Sequence, residues 1–174
     1  MMIRSACAGV LAATLLLAVS PAAEGSGLPP PSFRPTPGWL TVTTGPQPWR
    51  GWAPQVWAIP ERSNLAALAP FALFNSLRLL SPNGIVLWAT TSGRGGPTRT
   101  FVPDRLPLRL ASFRVDETWE GQPGRNVQQR LRWVAVAGWR LDVRVYFGTQ
   151  HPRHGLVAAA QRELARLRLP AGPR

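Results

Sequence analysis

The sequence predicts an α+β domain: an antiparallel sheet of five or six strands packed against a C-terminal amphipathic helix, with a shorter helical segment near 63–80. Three observations carry that prediction. Short runs rich in β-branched and aromatic residues recur between Gly- and Pro-bearing turns from Trp39 to Phe147. One of them, residues 85–89, is apolar at every position, as in a strand buried on both faces. Near the end, Leu156, Val157, Ala160, Leu164 and Leu167 recur at helical spacing, with Arg162 and Arg166 opposite them.

Ahead of the domain, Arg4 leads into an apolar run over 8–19, with the small residues Ser20 and Ala22 behind it. Residues 1–22 therefore read as a signal peptide cleaved after Ala22. The run is shorter than the roughly 20 residues that a membrane-crossing helix needs. Cys7 precedes the run, whereas a lipid-modified Cys follows it. The protein is thus expected to be secreted or held in the bacterial cell envelope. Cys7 is the one cysteine of the chain, so the mature protein would carry no disulfide, no thiolate ligand and no Cys nucleophile. Residues 23–37, dense in Pro and Gly, read as a semi-rigid tether, 38–170 as one globular domain, and 171–174 as a tail.

Within the domain, residues 39–43 and 55–59 form the first two strands, separated by the turn Gly45-Pro46-Gln47-Pro48. Ser63 or Asn64 can cap one short helix, and Pro70 suits the first turn of another. Phe71, Phe74 and Leu77 would line its inner side and cover part of the second sheet face. Ser81-Pro82-Asn83-Gly84 is a turn leading into the central strand at 85–89, and residues 108–115 read as a further strand. Two more strands lie in 127–147 around Gly138. Their register follows if one apolar face must be kept. A three-residue connection, Ala137-Gly138-Trp139, pairs Ala135 with Leu141, Trp133 with Val143 and Leu131 with Val145. The C-terminal helix should then end before Pro170 and lay its apolar stripe on the sheet.

That register gathers Arg130, Arg132, Arg140 and Arg144 on one face, with Tyr146 and Asp142 beside them and Arg132 opposite Arg144. Like charges so placed repel, and Arg forks bind carboxylate and phosphate in bidentate fashion. The face therefore reads as an anion-binding site for an envelope polymer, a lipid or a protein partner. All 20 basic residues are Arg against 8 acidic ones, a formal net charge of +12. An exported chain makes nucleic acid an unsuitable partner. A second candidate is the Trp cluster, Trp49, Trp52 and Trp57 around Arg50, which could stack a sugar or small molecule.

Other chemistries find no support in the sequence. The 174 residues, 45% of them apolar, exclude a disordered polar tail and a multi-domain machine. The 19 Pro and 16 Gly follow no period, which excludes collagen and solenoid repeats. His151 and His154 lack the further ligands a zinc site needs, so no metal is expected. The loop from Thr91 to Gly96 runs into Pro97 rather than a helix opening with Lys-Ser/Thr, unlike a phosphate-binding loop. Residues 116–120, with Asp116, Glu117 and Glu120, lack the spaced ligands of a calcium loop. No nucleophile elbow is present. The expectation is a non-catalytic domain without a cofactor.

Overall fold

The computed structural model describes residues 30–45, 53–66, 76–91, 100–116 and 126–170. Its elements are β1 (Ser32–Phe33), β2 (Trp39–Thr44), β3 (Gln55–Pro60), β4 (Ile85–Thr91), β5 (Val102–Pro103), β6 (Arg114–Asp116), β7 (Gln128–Val136), β8 (Trp139–Phe147), α1 (His154–Leu164) and β9 (Leu167–Arg168). The main sheet has seven strands, more than the five or six expected. Its order is β2-β3-β4-β8-β7, antiparallel throughout, and the outer edge of β7 is lined by β5 in parallel and β6 in antiparallel sense. β1 and β9 form a separate two-stranded pair.

The run of apolar residues in β4 places that strand between β3 and β8, with nearly every side chain buried, as its lack of polar alternation predicts. One face of the sheet carries Val56, Ala58, Leu87, Ala89, Val143, Val145 and Phe147. Against it α1 sets Ala160 and Leu164, both fully buried. Burying a side chain such as Leu164 stabilises the fold by about 1.5–3 kcal/mol. This is the helix face. The opposite, far face carries Trp57, Ile59, Val86, Trp88 and Tyr146, and Leu65, Leu77 and Leu80 cover one end of it. The expected partial cover by the 63–80 segment is therefore present, and among its described residues Ser76 and the short 3-10 turn Leu77–Leu79 are helical. Phe71 and Phe74 lie outside the described residues.

Three local expectations need correction. The β7–β8 hairpin uses the two-residue turn Ala137-Gly138, pairing Val136 with Trp139, Trp133 with Asp142 and Leu131 with Arg144. Both turn residues have positive φ, 49° for Ala137 and 82° for Gly138, the geometry whose twist matches the flanking strands. The three-residue register assumed one apolar face. Because both faces are covered, Val134 and Val136 bury on the helix face while Leu131 buries on the far face, and the tighter turn loses no apolar burial.

Residues 108–115 are a strand only at their end. Gln161 of α1 donates from Nε2 to the Leu108 carbonyl (3.0 Å) and accepts from the Leu110 N–H at Oε1 (2.7 Å). A side chain thus satisfies the backbone that a sheet ladder would otherwise take. Finally, α1 ends before Pro170 as expected, but at Leu164, so that Leu167 of its predicted apolar stripe lies outside the helix, where residues 167–168 turn extended and pair with β1. The described part of the 23–37 segment is correspondingly not free chain, since Phe33 is 3% exposed within the core.

Candidate functional site

Cross-strand register orders the far face into rows. The first runs Thr44, Gln55, Thr90, Asp142, Trp133, and the second Val42, Trp57, Trp88, Arg144, Leu131, Arg114. The third includes Val86, Tyr146, Gln129 and Asp116. The apolar cover from Leu65, Leu77 and Leu80 packs on Trp57, Ile59, Val86 and Tyr146. The first row, at the other end, is polar.

Arg144 sits between these environments. Its Nε donates to Asp142 Oδ1 (3.1 Å) and its Nη2 to Asp142 Oδ2 (2.9 Å), and its guanidinium lies 4.9 Å from the centre of the Trp88 ring. Trp88 in turn meets Trp57 edge-on, with ring centres 6.2 Å apart. Burial works against the Arg144 charge, but hydrogen bonding and charge from Asp142, joined by Tyr146, outweigh it and hold the pKa above its ordinary value. Burial also pushes the Tyr146 phenol up, with Asp142 and Asp116 adding to it, against the opposing pull of Arg144. Tyr146 therefore stays neutral and Arg144 stays charged across physiological pH.

Beside this pair, the Trp88 indole N–H donates to Gln55 Oε1 (2.9 Å). An indole nitrogen can only donate, so this bond fixes which end of the amide faces Trp88. Among the described residues the Gln55 Nε2 donor has no hydrogen-bond partner, and neither does Oγ1 of Thr44, directly opposite on β2. Gln55 is 2% exposed and Thr44 6%. An unmet buried group of this kind costs about 1–3 kcal/mol. Neighbouring Thr90 is satisfied, donating to the Pro54 carbonyl (3.0 Å). On the third row Gln129 Nε2 donates to Asp116 Oδ2 (2.8 Å).

The residues singled out in the sequence are placed differently from their expected grouping. Only Arg140, Arg144 and Tyr146 share the far face; Arg130 and Arg132 lie on the helix face, because the two-residue turn shifts the register by one. Arg132 faces Val143 rather than Arg144, and its Nη2 pairs with Asp104 Oδ2 at 2.7 Å. Arg130 donates from Nε to Gln128 Oε1 (2.8 Å) and lies over the Phe147 ring. Arg140 is exposed, over the Phe101 ring, and Arg114 is exposed over Trp133. Trp57, 1% exposed, is a core residue and offers no ring face to solvent. Trp49 and Trp52, in the connection between Thr44 and Gln55, lie outside the described residues, and so do Glu117, Glu120 and the glycines of the 92–96 loop.

The structure brings Arg144, Tyr146 and Trp57 together across the two groups that sequence reading kept apart. Thr44, Gln55 and Trp88 escaped that reading. A polar residue opening the otherwise apolar run of β3 was the available signal for Gln55, but its partner Trp88 stands 33 positions away. Among the described residues no group of three or more His, Cys, Asp or Glu could hold a metal ion. His151 and His154 are exposed where α1 begins. No described helix is long and apolar enough to cross a membrane. Comparison of the chain with protein-family models, with curated proteins and with solved structures finds no match.

Proposed function

We propose that the protein is an exported, non-catalytic binding domain of the bacterial envelope, taking a small polar molecule or glycan at the Thr44–Gln55 corner of the far face. One observation carries this reading: an oriented amide donor and a hydroxyl, side by side on neighbouring strands, both buried and neither partnered among the described residues. A ligand oxygen accepting from Gln55 Nε2 would relieve that cost. Arg144, held by Asp142, supplies a fixed cation nearby for an acidic sugar.

The test is a titration of the purified protein, followed by Trp emission, with chitotetraose as a neutral probe and an oligogalacturonate as an acidic one. A saturable shift is expected with one or both, because Trp88 is bonded to Gln55, and it should vanish in Gln55→Leu while the circular dichroism spectrum is unchanged. Equal shifts in the wild type and the variant, or none with either probe, overturn the reading.

A second reading rests on the exposed Arg114 and Arg140, which stand on the same face and could engage an anionic envelope polymer, lipid or protein partner. Co-sedimentation with phosphatidylglycerol vesicles tests it. Binding that survives physiological salt and fails in Arg114→Ala/Arg140→Ala supports it, and absence of binding at low salt removes it.

A further inference from the structure

We propose that the free edge of β2 pairs with β2 of a second copy of this chain, antiparallel, about a two-fold axis at Val42. The hydrogen-bond alternation of the β2–β3 pair leads there. The Glu61 N–H donates to the Gly38 carbonyl (2.9 Å), one position beyond the Trp39–Pro60 pair. In an antiparallel ladder, bonded and non-bonded pairs alternate. Leu40, Val42 and Thr44 therefore turn their backbone groups towards β3, and Thr41 and Thr43 turn theirs away from it. The Trp39 N–H is already taken by the Thr36 carbonyl (3.0 Å), which closes one end of the edge. Among the described residues no strand pairs with this side of β2. Thr43 is exposed and Thr41 half-buried.

The occupant follows from the rest of the sheet. On the opposite side the sheet ends in short strands, β5 of two residues and β6 of three, so among the described residues β2, with six, offers the longest edge that no strand covers. A head-to-tail contact needs two different open surfaces, whereas one self-complementary edge closes as a two-fold pair. β2 reads Trp-Leu-Thr-Val-Thr-Thr and holds no charge, so in a strongly basic chain it is a segment where two copies meet without Arg opposing Arg. Its two outward-facing residues then set the register. Thr41 exchanges two backbone hydrogen bonds with the partner's Thr43, Thr43 does the same with the partner's Thr41, and the two Val42 residues form the close non-bonded pair on the axis. Leu40, 37% exposed in the single chain, gains cover opposite the partner's Thr44.

Sedimentation velocity of the purified protein over a range of concentrations tests this. A reversible dimer is expected, and its fraction should rise with salt, because screening relieves repulsion between two basic chains while backbone pairing is unaffected. Thr43→Pro removes an outward-facing N–H and leaves the β3 ladder intact. It should weaken dimerisation by roughly tenfold or more, through two lost or distorted hydrogen bonds. Amide exchange on the unaltered protein is a second arm independent of variant folding: Thr41 and Thr43 should gain protection as concentration rises. A wild type that sediments as monomer up to its solubility limit overturns the proposal, as do a dimer of unchanged affinity in Thr43→Pro and exchange at Thr41 and Thr43 that ignores concentration.

Discussion

The Asp142–Arg144 pair is the interaction whose loss the far face should tolerate least. The two side chains are 2% and 13% exposed and share two hydrogen bonds, and the cation lies against Trp88. Asp142→Ala strands a guanidinium in that setting, and breaking a buried pair from one side costs about 3–5 kcal/mol. The Arg132–Asp104 pair is an internal control. It is shorter, at 2.7 Å, but its side chains are 18% and 23% exposed, so Asp104→Ala should cost only about 0.2–1 kcal/mol. Urea unfolding at neutral pH, read by Trp emission and far-ultraviolet circular dichroism, measures both. Since a domain is stable by only about 5–15 kcal/mol, Asp142→Ala could approach unfolding, and Asp142→Asn supplies a gentler step. The double variant Asp142→Ala/Arg144→Met should recover much of the loss, because no charge is left uncompensated. A cost for Asp142→Ala below about 1 kcal/mol, or a double variant as costly as the two single changes summed, would refute the argument that burial rather than distance sets the value.

Three further outcomes are expected. Gly138→Ala, at φ 82°, should lower stability by about 1–2 kcal/mol in thermal or urea unfolding, while Ala137→Gly, relieving a φ of 49°, should not. Leu164→Ala removes a fully buried side chain between α1 and the sheet and should cost about 2–5 kcal/mol by the same measurement. Burial raises the pKa of Glu163, against the opposing pulls of Thr36 and Arg166, so the folded state favours the neutral carboxyl. That contribution is complete below the ordinary carboxylate range and is lost as pH rises through the raised folded value. Melting temperatures between about pH 4 and 8 should therefore fall with pH relative to Glu163→Gln, and parallel curves would contradict the assignment.

What the sequence made legible was burial rather than pairing. The all-apolar 85–89 run located the central strand, and the helical spacing of Leu156, Val157, Ala160 and Leu164 located the packed face of α1. The β7–β8 register was ambiguous because β7 carries two apolar sets, Leu131 and Trp133 on one parity and Val134 and Val136 on the other. Turn geometry at Ala137-Gly138 decided between them. Residues 108–115 alternated like a strand, yet their backbone is met by Gln161, more than fifty positions away, and no local pattern records such a contact. The Arg cluster dissolved with the register, and two of its charges met side chains far along the chain, Arg132 at Asp104 and Arg130 over Phe147, whereas Arg144 pairs with Asp142 two positions away.

The β1–β9 pair has a mechanical consequence. It joins segments near opposite ends of the described chain through two residues on each side, helped by the Arg34 N–H bonded to the Arg166 carbonyl. Closing so long a loop is entropically costly, and burial of Phe33 and Leu167 in the core, more than these few bonds, offsets that cost. Opening the clasp therefore means drawing Phe33 and Leu167 out of the main core, although the ladder of the seven-stranded sheet does not run through it. A load transmitted along the residues before Ser32 is met first by this latch, whose Phe33 acts as an anchor bolt set into the core, so that tension on that segment pulls directly against packed side chains.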